Sequence, residues 1–192
     1  MKFMHIAGVL CSTIVAASTF AQAKRAVVSS TVSTKDEMAT SAIPRFPRKD
    51  GSVFYERIDS SFKKQKDDVY KSAKIWFAET FRNSNSVLKM DDKELGELVG
   101  KGTTIIEFQY GNSELKYWSR FTIKLSCRNN KFRVQIYDIG LQPGGEQEYE
   151  SVELYMTRTD AITAILLRKM DEQMSSLLSS STSAISSRKD DF

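Results

Sequence analysis

From Tyr117 to Cys127 the chain alternates without a break. Tyr117, Ser119, Phe121, Ile123, Leu125 and Cys127 fall on one side, and Trp118, Arg120, Thr122, Lys124 and Ser126 on the other. Side chains of an extended strand point to opposite faces in turn, so this stretch has one apolar and one polar face. A strand of that kind belongs in an antiparallel sheet covered on one side only. Arg128-Asn129-Asn130-Lys131 supplies a tight hairpin. The returning strand puts Phe132, Val134 and Ile136 on the covered side and Arg133, Gln135 and Tyr137 on the other.

The cover comes from helices. Val69, Tyr70, Ala73, Trp76, Phe77, Thr80 and Phe81 recur at three- and four-residue spacing, which predicts a helix of about four turns. Asp67 and Asp68 sit where a helix start favours an N-cap oxygen and negative charge. Asn83-Ser84-Asn85-Ser86 then ends it. A second helix is expected from Thr159, as its cap, with Ile162, Ile165, Leu166, Met170, Met174 and Leu177 on its buried side. Strands are expected at Ser52–Asp59, Ser86–Met90 and about Leu95–Phe108. Gly96, Gly100 and Gly102 in the last mark a bulge or a close backbone approach. After the break at Pro143-Gly144-Gly145, Glu148–Met156 reads as an edge strand or an extended approach to the second helix. The order is strand, helix, four strands, helix. With hairpin-length loops this makes an α+β two-layer sandwich with a mostly antiparallel sheet and both helices on one face.

The flanks bound the compartment. Met1–Ala23 has Lys2, an apolar run from Ile6 to Phe20, and Ala21-Gln22-Ala23, the pattern of a signal peptide cut after Ala23. Its apolar run falls short of the roughly 20 residues a helical span needs, so no transmembrane segment is expected in the mature form. A lipoprotein processed at Cys11 would place bulky Leu10 where a small residue is wanted. Residues 24–51 are rich in Ser, Thr and Ala and read as a flexible linker, residues 52–178 as the domain, and 179–192 as a Ser-rich disordered tail. The expected location is the periplasm or outside the cell.

Cleavage after Ala23 would remove His5 and Cys11, leaving no histidine and the single Cys127. Ser-His-Asp, Cys-His and His-zinc chemistry would be excluded, and no cofactor or metal is expected. Charge argues against nucleic acid. Residues 51–192 carry 21 basic and 21 acidic side chains, so the basic excess lies in the flank.

A longer pattern narrows the fold. Lys66-Asp67-Asp68-Val69-Tyr70, Trp76, Phe81, Asn83-Ser84, Val87-Leu88-Lys89 and Asp91-Asp92-Lys93-Glu94-Leu95-Gly96-Glu97-Leu98-Val99-Gly100-Lys101-Gly102 together resemble domain-of-unknown-function family 4468 over roughly Phe54–Tyr137. The resemblance implies a fold like that of the TATA-binding protein, in the element order already reached, and an exported protein of Bacteroidota. It carries no catalytic motif.

Local motifs yield little chemistry. Gly96-x-x-x-Gly100-Lys101-Gly102-Thr103 has neither the spacing of a phosphate loop nor a helix after it. Asp91, Asp92, Glu94 and Glu97, like Glu146, Glu148 and Glu150, lack calcium-loop spacing. Cys127 falls on the covered side as a small core residue. The polar sheet face is more informative. Trp118, Arg120 and Lys124 share it with Arg133 and Tyr137, and Tyr55 and Arg57 are expected to join them from the first strand. Aromatic and cationic groups interleaved on an open sheet suit an unidentified protein or small ligand of the cell envelope, and such a face is also compatible with a homodimer. The function expected is therefore a non-enzymatic binding module. The alternative is an envelope hydrolase using carboxylates or a Ser/Lys pair.

Overall fold

The computed structural model describes residues 43–81, 87–144 and 148–187. The signal-peptide and proximal linker readings lie outside that range. In order come β1 (Arg48–Lys49), β2 (Ser52–Val53), β3 (Tyr55–Asp59), α1 (Lys66–Thr80), β4 (Val87–Asp92), β5 (Glu97–Tyr110), β6 (Ser113–Arg128), β7 (Lys131–Pro143), β8 (Glu150–Ser151), α2 (Val152–Tyr155) and α3 (Ala161–Ser187). The main sheet runs β3-β7-β6-β5-β4 with β8 beside β7, and every pairing in it is antiparallel. The fold is the α+β sandwich expected from periodicity, with β1, β2, β8 and α2 added.

One sheet face is the core. Leu98, Ile106, Phe121, Ile123, Leu125, Cys127, Phe132, Val134 and Ile136 are buried there, as their alternation requires. Both long helices pack on it: Trp76 and Phe77 of α1 and Leu166, Met170 and Met174 of α3 are buried. Gly100 and Gly102 are close approaches rather than bulges. A Cβ on Gly100 would stand 2.3 Å from Phe77 Cζ, and one on Gly102 2.6 Å from Phe121. The bulge lies across the sheet-edge pair, where β4 slips by one residue between Leu88 and Met90.

A second register shift occurs on β7, where Thr122 pairs with Tyr137 and Arg120 with Gly140. The extra residue includes Asp138 at φ 55°. A one-residue bulge exchanges the two faces. The inward side chains therefore change from Phe132, Val134 and Ile136 to Ile139 and Leu141, all buried.

Several boundaries differ from those the sequence predicts. Residues 43–51 are not plain linker, because Phe46 is buried in the core and Arg48–Lys49 pairs with Ser52–Val53 across a turn whose Asp50 and Gly51 both have positive φ. The expected Ser52–Asp59 strand is accordingly split at Phe54. The segment 179–187 is not a disordered tail. It completes α3, with Ser181 and Ile185 fully buried, because Ile185, two helical turns after Leu178, continues the buried stripe. The cap of α3 is Asp160, not Thr159: its Oδ1 accepts from Thr163 N at 2.8 Å. Glu148–Met156 forms only the two-residue β8, then α2 capped by Ser151.

Asp67 and Asp68 lie in the first turn of α1, but neither is its N-cap. Gln65 holds that position without a side-chain bond. The asparagines of the β6–β7 hairpin take over, with Asn129 Oδ1 accepting from Lys66 N at 2.8 Å and Asn130 Oδ1 from Lys64 N at 3.0 Å. Among the described residues no helix is long and apolar enough to cross a membrane.

Candidate functional site

Strand register assigns each candidate side chain to a face. Ser126 pairs with Arg133, Lys124 with Gln135 and Thr122 with Tyr137. Trp118, Arg120, Lys124, Arg133 and Tyr137 therefore share the face away from the helices, as the alternation predicts. Tyr55 and Arg57 do not. They pair with Ile136 and Val134, which point to the core, so both lie under α3. Tyr55 is buried, and its Oη donates to Asp171 Oδ1 at 2.6 Å; Arg57 Nη1 donates to Ser179 Oγ at 3.3 Å. Burial and the Asp171 carboxylate push the Tyr55 hydroxyl far above its ordinary range. The residues β3 offers to the open face are Glu56 and Ile58, the opposite parity, with Phe54 just before the strand.

On that face charges are laced across strands. Lys124 Nζ lies 2.8 Å from Glu97 Oε2, and Ser126 Oγ donates to Glu97 Oε1 at 3.3 Å. The bond from Lys124 is the main cause holding the Glu97 carboxyl below its usual range. Glu56 Oε1 accepts from Gln135 Nε2 at 2.7 Å with Arg133 Nη1 at 3.9 Å. Asp138 Oδ2, set out by the bulge, meets Lys101 Nζ at 3.0 Å and Thr122 Oγ1 at 3.2 Å. Exposed pairs of this kind contribute little stability each. They do fix side-chain positions across four strands.

The aromatics are arranged differently. Lys49 Nζ stands 5.1 Å from the Phe54 ring centre, Lys116 Nζ 5.8 Å from that of Trp118, and the Arg120 guanidinium 4.4 Å from that of Tyr149. Three rings on this side of the sheet thus carry a cation within the range of a cation–π contact. Tyr137 stacks on Phe54, centres 5.9 Å apart and planes 22° apart.

The five open-face candidates do not converge on one hollow. They spread along β6 and β7, and Tyr137 borders a cavity of about 500 Å³ between the β1–β2 hairpin, β7 and α2. Lys49, Asp50, Phe54, Asp138 and Glu153 complete its principal lining. Sequence reasoning missed these five. Phe54 was obscured by the wrong parity for β3. Asp138 had one usable signal, the change of apolar parity between Ile136 and Ile139.

Two of the acids from the clustered turns, Asp91 and Glu150, are held in ion pairs. Asp91 accepts from Tyr70 Oη and, at 2.6 Å, from Lys74 Nζ; the Lys74 bond leads in holding its carboxyl low. Glu150 Oε2 meets Arg158 Nη2 at 2.6 Å. Cys127 is buried, and desolvation pushes its thiol up to about 12. Among the described residues no three His, Cys, Asp or Glu side chains gather as a metal site.

Comparison with known proteins agrees with this architecture. No curated protein matches the sequence. A protein from Bacteroides ovatus ATCC 8483, described as of the DUF4468 family, superposes with a TM-score of 0.63 at 17% identity, over 75% of this chain and 94% of its own. A TBP-like protein from Parabacteroides distasonis ATCC 8503 gives 0.51 at 13% identity, over 72% and 97%. At such identities the likeness concerns the fold. Over residues 54–142 the sequence matches the family described as a domain of unknown function (DUF4468) with TBP-like fold, and this chain resembles that family in sequence and in architecture alike.

Proposed function

We propose that the protein is an exported, non-enzymatic binding module that takes a protein or small-ligand partner of the cell envelope on its open sheet face. One observation carries the reading. The helices cover one face, while the other keeps Phe54, Trp118 and Tyr137 only half-buried, with Lys49 over Phe54, Lys116 over Trp118 and Tyr137 stacked on Phe54 rather than under a packed layer. Large aromatic surface left in that state is characteristic of interaction sites. Export is supported by the sequence pattern of residues 1–23.

The test is native mass spectrometry of the chain recovered from the cell envelope, beside its Trp118→Ala and Arg133→Ala variants. A stoichiometric added mass on the parent that both variants lose, with their melting temperatures unchanged, supports the open face as the site. An added mass that survives both substitutions overturns it. So does a large loss of stability in the variants, which would make these side chains packing elements.

A further inference from the structure

The cavity at the corner of the open face has a chemistry more specific than the face as a whole. Its floor is aromatic: Phe54 and Tyr137 lie nearly parallel. Its lining carries three carboxylates, Asp50, Asp138 and Glu153, and the ammonium of Lys49, with the Lys101 ammonium 3.0 Å from Asp138. The structural bonds of two of these acids use one oxygen each. Asp138 binds Lys101 and Thr122 through Oδ2, and Glu153 accepts from Val53 N through Oε1 at 2.8 Å. Among the described residues the second oxygens, with both of Asp50, make no hydrogen bond and remain for a guest.

Independent of these acids is the position of Lys49. Its Nζ is seated over the Phe54 ring, at 5.1 Å from the centre, where a guest cation would make its best contact with this floor. Lys49 belongs to the β1–β2 hairpin, which lies outside the main sheet, and it is exposed. It can leave the ring by side-chain rotation alone. An aromatic floor under an acidic rim, already holding a cation of the chain itself, selects for positive charge and disfavours anions.

Resting on the reading of the open face as a binding surface, we propose that this cavity binds the guanidinium group of an arginine side chain in a partner peptide, and that Lys49 is its intramolecular stand-in. A guanidinium matches both halves of the site. It is planar and weakly hydrated, so it stacks on Phe54, and its fork of N–H groups reaches carboxylate oxygens at the rim. A cavity of about 500 Å³ is ample for such a side chain and part of its backbone.

The full chain would be titrated calorimetrically with N-acetylarginine amide, with its uncharged isostere N-acetylcitrulline amide, and with N-acetylglutamate amide. Saturable binding of the arginine probe, at least about tenfold tighter than the citrulline probe, is the expected result, with no binding of the glutamate probe. Lys49→Ala should tighten arginine binding by about two- to fivefold, since it removes the internal competitor. Asp50→Asn keeps the turn, because Asn tolerates positive φ, and should weaken binding by a similar factor. Equal binding of arginine and citrulline, no arginine binding at millimolar concentration, or weaker binding by Lys49→Ala each overturns the assignment. If the arginine probe fails while Trp118→Ala still abolishes the native adduct, the cavity assignment falls alone and the open-face function stands.

Discussion

Replacing Gly100 by Ala sets two opposing effects against each other, and the structure decides between them. Gly100 is not among the positive-φ glycines, so its place in β5 suits an L-residue. In open space the substitution would stabilise by about 0.4–1 kcal/mol, through the smaller entropy of the unfolded chain. Space is what is missing. The new methyl would stand 2.3 Å from Phe77 Cζ and 3.0 Å from Cε2, where ordinary contact begins near 3.4 Å. The ring must therefore retreat by about 1 Å, a distance that follows from steric contact in a close-packed interior. Behind it Phe81 is 4.8 Å away, centre to centre, and Phe81 in turn lies 6.2 Å from Phe121. Overpacking of this kind costs about 1–3 kcal/mol. The net result is a loss of about 1–2 kcal/mol, or about 3–8 °C in melting temperature for a domain of this size. Urea unfolding followed by circular dichroism should show a lower midpoint with an unchanged slope. In a Phe77→Leu background, where the clashing ring atoms are gone, the penalty should shrink by at least about 0.5 kcal/mol. A Gly100→Ala protein that melts higher than the parent, or a penalty untouched by Phe77→Leu, would refute the reasoning.

Two further outcomes follow from the helix end and the open face. Ile185→Ala should cost about 2–4 kcal/mol in urea unfolding, because the side chain is fully buried and its turn is tied down by Lys64 Nζ on Ile185 O at 2.9 Å and by Ser186 on Asp59; an unchanged midpoint would restore the view of this segment as a free tail. The Glu97 carboxyl, held low by Lys124, binds its proton less readily folded than unfolded, so its contribution is complete above its ordinary value of 4.5 and is lost as pH falls through the lower folded value. Glu97→Gln should then lose less stability than the parent between about pH 5 and pH 3, and parallel stability curves for the two proteins would contradict this.

The parts legible in the sequence are those set by side-chain period. α1 and the faces of β6 and the first half of β7 follow from apolar spacing alone, because burial on one side is what selects those residues. What escaped was set by partners distant in sequence. The end of α3 looked like tail because its exposed face is serine. In the structure Ser179, Ser180, Ser181 and Thr182 donate to carbonyls three or four residues back, so their hydroxyls are satisfied within the helix. The parity of β3 is fixed by its register on β7, which a five-residue strand cannot reveal by itself. The corner cavity is further from view, since it gathers residues 49–54, 137–139 and 151–153 through one bulge and one hairpin. For the open face, the alternation assigns Trp118, Arg120, Lys124, Arg133 and Tyr137 to the side away from the helices but could not show which charges are already paired.

The hairpin asparagines that hold the start of α1 have a consequence for the way the protein opens. A helix with a cap of its own frays one turn at a time, while the rest of the molecule stays closed. Here the amide protons of Lys64 and Lys66 are shielded by side chains 66 and 63 residues further along, and Asn130 N returns a bond to Lys64 O at 2.8 Å. The first turn of the helix cannot come loose without releasing the tip of the β6–β7 hairpin, nor the tip without the turn. Two elements that lie far apart in the chain thus share a single opening event.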